Sequence, residues 1–204
     1  MARFITFEGL DGSGKTTQLN KTLEWLAAHR IDHVATREPG GTPLGDRVRD
    51  LFLASHWGQL DGVVEALLVF ASRRQHLLEV IEPALATGRH VICDRFTDST
   101  RAYQGGGRGV DATWIEELDG LVTGGRMPDH TLLFDLPGES ARERATGGDR
   151  LDAEALAFYE RVRAGFLDVA RRDPERVVVI DATADIETTW RRVEAHLRAW
   201  FDLS

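Results

Sequence analysis

The chain has 204 residues, with 25 Lys and Arg against 33 Asp and Glu, a net charge of −8 and a sequence pI near 5.4. That length suits one domain with a substantial core, and the acidic balance argues against general affinity for nucleic acid or anionic membrane. Cys93 stands alone, which excludes an intrachain disulfide and a cysteine-based zinc site; no apolar run approaches about 18 residues, so neither a spanning segment nor a signal peptide is expected and the protein should be cytoplasmic.

In chain order, a short apolar run at 3–8 is followed by an amphipathic pattern near 15–29, a second run at 33–37, and helical patterns near 44–54 and 64–87. Pro83 should kink or end the long third helix, because it lacks an N–H and its ring crowds the preceding turn. A third run, His90 to Asp94, places Cys93 among strand residues as a buried thiol. Helical patterns near 112–123, 153–172 and 185–201 then alternate with runs at 130–136 and 176–181, and Trp25, Trp190 and Trp200 read as packing residues. Several runs are apolar without alternation, as in parallel strands covered on both faces. The expected fold is therefore an α/β, doubly wound, five-stranded parallel sheet flanked by helices, with ligands at the carboxyl ends of the strands. Gly105 to Gly109 and Thr146 to Asp149 read as two flexible loops.

Between the first run and the first helix lies Glu8-Gly9-Leu10-Asp11-Gly12-Ser13-Gly14-Lys15-Thr16-Thr17, a Gly-x-x-x-x-Gly-Lys-Thr phosphate loop. Its glycines let backbone N–H groups turn onto phosphate oxygens, Lys15 supplies a point charge to the β/γ-phosphates, and Thr16 offers a hydroxyl to Mg²⁺. Lys15 and Lys21 are the only lysines in an arginine-rich chain. A compact ammonium in that cradle is not replaceable by an arginine fork.

A phosphate loop alone does not name a second substrate. Downstream, Asp94-Arg95 ends the third run and Thr100, Tyr103 and Gln104 follow at spacings that share one helical face, which describes an acceptor pocket with polar readers. Asp94 stands where a strand-end carboxylate serves Mg²⁺ through water; its alternative is a simple pair with Arg95.

These residues resemble bacterial thymidylate kinases. The likeness runs from Phe4 to Ala182 and is carried by 4–17, Thr36-Arg37-Glu38-Pro39-Gly40-Gly41-Thr42, Arg73-Arg74-Gln75-His76, the Asp94–Gly109 block with its Tyr-Gln-Gly-Gly-Gly-Arg-Gly, and Asp149-Arg150. The resemblance implies a P-loop nucleoside monophosphate kinase that moves the γ-phosphoryl group of ATP to dTMP with Mg²⁺, and a homodimer assembled through helices that include 64–87. It implies donor binding by Gly9 through Thr17 with Arg144 bordering adenine. Arg95, Arg49 and Arg37 are implied for the acceptor phosphate; for Arg49 a solvated helix charge remains the other reading. Asp11 is implied to face the deoxyribose 3′-hydroxyl, Tyr103 the sugar edge, and Arg73, Thr100 and Gln104 the base. Some members carry a basic residue after the loop aspartate, where this chain has Gly12, so the closing cation is expected from a lid around 142–152, with Arg150 as first choice.

Two departures stand out. The phenylalanine that stacks on thymine in the family aligns with Val69, leaving Phe70 next door either to stack after a small rotation or to pack in the core. The lid ends Asp149-Arg150-Leu151-Asp152 where glutamate is usual at the last position. Competing readings are a kinase for another nucleoside monophosphate or a deoxynucleoside, a nucleotide-dependent switch or ATPase, and an inactive relative; the absence of an Asn-Lys-x-Asp guanine reader argues against the switch.

Overall fold

The computed structural model of the protein describes residues 1–54, 60–144, 151 and 154–203. Strands β1 (Phe4–Gly9), β2 (His33–Arg37), β3 (His90–Asp94), β4 (His130–Asp135) and β5 (Val177–Asp181) form one sheet in the order β2-β3-β1-β4-β5, every neighbouring pair parallel. Each expected strand is present within a residue at either end. Central β1 is buried along its whole length, which is why its residues do not alternate between apolar and polar.

Successive strand residues face opposite helical layers. Ile5, Phe7 and Ile92 pack in a cluster with Leu26 of α1 (Lys15–Ala28) and Val193 and Leu197 of α9 (Ile186–Trp200). Phe4, Val91 and Cys93 pack on the other face against Leu77, Ile81 and Ala84. Trp25 is buried, Trp190 lies beneath Lys21 and Trp200 stacks on His130 at 4.2 Å, all packing roles. Between these layers the chain forms α2 (Pro43–Leu53), α3 (Gly62–His76), α4 (Glu82–Ala86), α5 (Thr97–Thr100), α6 (Ala112–Thr123), α7 (Gly138–Arg144) and α8 (Leu156–Arg172). Asp61, Asp111 and Asp185 cap α3, α6 and α9 by accepting N–H groups of their first turns.

The effect expected of Pro83 is seen just before it. A π-helical segment, Leu77–Ile81, joins α3 to α4, and the Glu82 N–H reaches back to the Leu77 carbonyl. The wider turn accommodates the missing proline donor.

The expected flexible loop at 105–109 is corrected in its first three residues. Gly105, Gly106 and Gly107 belong to a second π-helical segment, Arg101–Gly107, pressed against α8. A Cβ on Gly106 would lie 2.9 Å from the Arg161 carbonyl oxygen, and one on Gly107 would lie 2.6 Å from Cε2 of Phe158. These glycines serve close approach of two helices. The other expected loop, 146–149, lies outside the described residues. Among the described residues no helix is long and apolar enough to cross a membrane.

Candidate active site

Parallel register sets Phe7 of β1 beside Asp94 of β3, so the loop after β1 and the segment after β3 leave the sheet as neighbours. In the loop, Gly9 has φ 139°, and a Cβ there would sit 2.6 Å from the Phe134 carbonyl oxygen; only glycine lets the chain turn this close to β4. Gly12 is also at positive φ, and Gly14 (φ 82°) caps α1. Leu10 is in the core, so its side chain is an anchor, while Thr16 and Thr17 are exposed on the first turn of α1. Lys15 is 7% exposed, with Nζ 3.5 Å from Asp11 and 3.8 Å from Asp94. Ser13 Oγ is buried without a hydrogen-bond partner among the described residues. A buried cation beside an unpartnered hydroxyl at a helix N-terminus is a receptor for anionic oxygens.

Arg95 joins this loop to the β3 side. Its Nη1 donates to the Gly9 carbonyl at 3.0 Å and to Ser99 Oγ at 2.9 Å, and its Nη2 donates to Asp11 Oδ1 at 2.7 Å and to Tyr103 Oη at 3.2 Å. Tyr103 in turn donates to Asp11 Oδ2 at 3.1 Å, and its ring centroid lies 5.0 Å from the guanidinium carbon. Desolvation would raise the Asp11 carboxyl, but Arg95 and Lys15 outweigh it and hold it well below the usual carboxylate range. For Tyr103, desolvation is the largest effect and raises the phenol far above its ordinary value, so it remains a donor.

Arg95 itself is in the left-handed region at φ 72°, a conformation that costs a non-glycine residue about 1–2 kcal/mol. Its neighbours hold the turn. The Arg95 N–H donates to the Phe7 carbonyl at 3.0 Å, and Glu8, fully buried, accepts the Phe96 N–H at 2.7 Å and the Ser99 hydroxyl at 2.5 Å. Burial, followed by repulsion from Asp98, raises the Glu8 carboxyl to about 8. Sequence reasoning assigned Glu8 no role. A carboxyl directly after Phe4-Ile5-Thr6-Phe7, still within the buried strand, was the signal that could have found it.

A cleft opens beside this assembly, lined by Asp11, Arg95, Tyr103, Thr100 and Gln104 together with Arg49, Val69 and Arg73. Arg73 is 1% exposed and lies between the rings of Phe70 and Phe96, 5.0 Å from each centroid. Its Nε donates to Glu38 at 2.7 Å and its Nη2 to Thr100 Oγ1 at 3.0 Å, while Nη1 has no partner among the described residues. Glu38, which sequence reasoning left without a role, is gripped on its other oxygen by His76 at 2.9 Å. Gln104 lines the cleft with its amide nitrogen donated away from it to Glu65, at 2.9 Å. Val69 stands on the cleft wall, whereas Phe70 packs with Ala66 and Ile115 behind it. The backbone at Phe70 aims the ring between α3 and α6, so the adjacent position faces the cleft.

Arg49 lines the cleft, with its nearest bond a donation to the Pro39 carbonyl at 3.3 Å. Desolvation, then Arg37, then Arg95 lower its pKa. Arg49 and Arg95 both line the cleft, and two cations sharing one concave surface favour an anionic ligand there. The Arg37 side chain is half exposed and reaches Asp46 at 3.2 Å, outside the cleft lining. Arg144 is exposed at the end of α7, and Arg150 lies outside the described residues.

The sequence model of the family described as thymidylate kinase matches residues 7–193. The chain belongs to the thymidylate kinase family. It is 51% identical over 199 residues to a thymidylate kinase of Chromobacterium violaceum, covering 96% of this chain and 93% of that protein. It is 49% identical over 197 residues to one of Pseudomonas putida, covering 95% and 94%. The crystal structure of the thymidylate kinase from Ehrlichia chaffeensis superposes with a TM-score of 0.79 at 40% identity, covering 97% of this chain and 98% of that one.

Within this family member, Glu8 gives a pH signature that an exposed carboxylate would not. Its folded-state pKa of about 8 lies above the ordinary 4.5, so the folded protein keeps a proton that the unfolded chain releases. The Glu8 contribution to stability is therefore complete below pH 4.5 and lost as pH rises through about 8. Glu8→Gln, an uncharged isostere, is expected to fold and to lose this dependence. Urea midpoints at pH 6 and pH 9 should fall less with pH in the variant than in wild type; equal slopes would assign the Glu8 proton to neither state.

Proposed function

We propose that the cleft is the acceptor half, and the phosphate loop the donor half, of one phosphoryl-transfer site. The reaction of the family is transfer of the γ-phosphoryl group of ATP to dTMP, giving dTDP and ADP, a step of deoxynucleotide biosynthesis. The observation that carries the acceptor assignment is Arg73 Nη1, a buried donor without a hydrogen-bond partner among the described residues, in the cleft that Arg49, Asp11 and Arg95 also line. A base carbonyl supplies what that donor lacks, and Arg49 and Arg95 supply the place for the monophosphate.

The chemistry asks little of a general base, because a nucleoside monophosphate is already anionic near pH 7. The difficulty is holding two polyanions together while charge shifts between them. Lys15 and the loop N–H groups of Gly9 through Thr17 hold the donor, Arg49 and Arg95 the acceptor phosphate, and Arg37 flanks them at the rim. Asp11 binds Arg95 and Tyr103 on its inner lone pairs and keeps others for the sugar 3′-hydroxyl. Tyr103 closes the sugar edge against a 2′-hydroxyl. Val69 gives the base an aliphatic wall, with Thr100 and Gln104 along its polar edge.

The donor set also fits Mg²⁺. Asp94 Oδ1 is buried without a hydrogen-bond partner among the described residues, and Thr16 opens α1 beside Lys15. Asp94 and Thr16 are the residues that would hold the ion, which takes oxygen ligands. When bound, Mg²⁺ neutralises charge on the β- and γ-phosphates. The lid, around 142–152, is assigned on resemblance alone, with Arg150 supplying the closing charge and Arg144 bordering adenine. The chain is read as one cytoplasmic domain.

A homodimer is proposed through α2, α3 and α6. Leu44 and Leu51 of α2, Val63, Val64 and Leu67 of α3, and Leu121 of α6 are large apolar side chains exposed on helices that pack on one another in the order α2, α3, α6. A second copy with the same surface covers such a face by two-fold symmetry.

Three measurements test these assignments. In a panel of dTMP, dUMP, dCMP, dGMP and AMP with ATP and Mg²⁺, dTMP should exceed dCMP, dGMP and AMP by about a hundredfold or more in kcat/KM; ATP hydrolysis independent of acceptor would defeat the kinase assignment. Arg150→Ala should lower kcat by roughly a thousandfold with a far smaller change in KM for dTMP, and near-normal turnover would remove Arg150 from the mechanism. Sedimentation equilibrium should give twice the chain mass, with Leu121→Glu shifting the protein to monomer; a monomeric wild type would refute the dimer.

A further inference from the structure

Gln104 reads the base with an amide, and an amide has two chemically opposite ends. We propose that Glu65, which does not line the cleft, determines which end the base meets and is thereby a positioning residue for pyrimidine selectivity. The proposal rests on the acceptor reading above.

Glu65 is fully buried in the first turn of α3, and Gln104 is 2% exposed in the π-helical segment that packs against that helix. Gln104 Nε2 donates to Glu65 Oε2 at 2.9 Å. Arg108 Nε donates to both Glu65 oxygens, at 3.0 and 3.2 Å, and the Arg108 guanidinium is set in turn by the Phe158 ring, 4.5 Å away, and by Glu154, 2.6 Å from Nη2. An ion-paired carboxylate presents only lone pairs, so the end of the amide lying against it must be the NH₂. Rotating the amide by half a turn would set its carbonyl oxygen against a buried carboxylate oxygen, two acceptors with no proton between them. The carbonyl Oε1 is therefore the end left for the cleft.

An acceptor at that place matches a pyrimidine with a proton on N3, as in thymine or uracil. Cytosine has a lone pair at N3 and meets it acceptor to acceptor. Arg73 Nη1 makes the complementary demand for a carbonyl on the base, so the two readers select the same edge from opposite ends. Each reader is polarised by a buried carboxylate: Arg73 by Glu38, and Gln104 by Glu65.

Glu65→Gln tests this, because an amide partner accommodates Gln104 in either orientation. The variant should raise KM for dTMP by about tenfold and lower the preference for dTMP over dCMP by about tenfold, while kcat for dTMP stays within about twofold. In a Gln104→Met background the same substitution should change neither quantity. Retention of the full dTMP preference in Glu65→Gln, with its loss in Gln104→Met, would overturn the proposal. A measurement on the unmutated protein stands independently of whether Glu65→Gln folds. The Gln104 side-chain amide protons should be exchange-protected in the free protein, and added dTMP should shift its Cδ carbonyl carbon more than its Nε2; freely exchanging amide protons would overturn the orientation. Wild type that binds ATP but never phosphorylates dTMP would remove the acceptor reading, and the protected amide would still report the Glu65 contact.

Discussion

One guanidinium ties the loop after β1 to the segment after β3, and the arrangement of the cleft depends on it. Arg95 ends β3 in a left-handed conformation and reaches across to the carbonyl of Gly9 and the carboxylate of Asp11 on β1's loop. Without that bridge the loop after β1 and the segment after β3 would have no side-chain link through Arg95. The adjacency of β1 and β3 in the sheet makes the bridge short, and Glu8 beneath it makes the strained turn persist. A central strand that carries a buried carboxyl at its end thus serves the site, at a cost in intrinsic stability that the apolar layers on both faces offset.

The same device recurs around the cleft. Glu38 holds Arg73, Glu65 holds Gln104, and Asp11 holds Arg95 and Tyr103, each carboxylate fixing the direction of the group it pairs with. Farther back, Asp98 is held by a two-pronged bond from Arg176 at 2.7 and 3.1 Å and by Arg101 at 3.2 Å, tying α5 to the strands behind it. Pairs of this kind add little net stability, because desolvation consumes most of the Coulomb gain. What they contribute is direction, since a paired guanidinium or amide has few orientations left. A chain of net charge −8 thus still lines this cleft with three arginines, Arg49, Arg73 and Arg95.

Much of this was legible before any coordinates. The phosphate loop is contiguous and its chemistry depends on residue types at fixed spacing, so Gly9 through Thr17 could be placed from sequence. The strands were legible because buried parallel strands leave continuous apolar runs. Gly105 to Gly107 were misjudged because glycine has two uses, backbone freedom and the absence of a Cβ, and only the position of Phe158 and Arg161 shows which applies. Phe70 and Val69 differ by about 100° around a helix, and the facing of α3 against α6, not the pattern of the helix alone, turns Phe70 inward. Short α7 has too few residues to show a period.

The sequence by itself determined the layered α/β fold, the donor loop and the family, since these depend on local periodicity and on contiguous motifs. The tertiary structure alone decided which residues line the cleft and which partner each polar side chain holds. Glu8, Glu38 and Glu65 are distant in sequence from the groups they hold, 35 residues between Glu38 and Arg73 and 39 between Glu65 and Gln104. Hydrogen-bond polarity across such separations is a property of packed elements, and no spacing along a single segment encodes it.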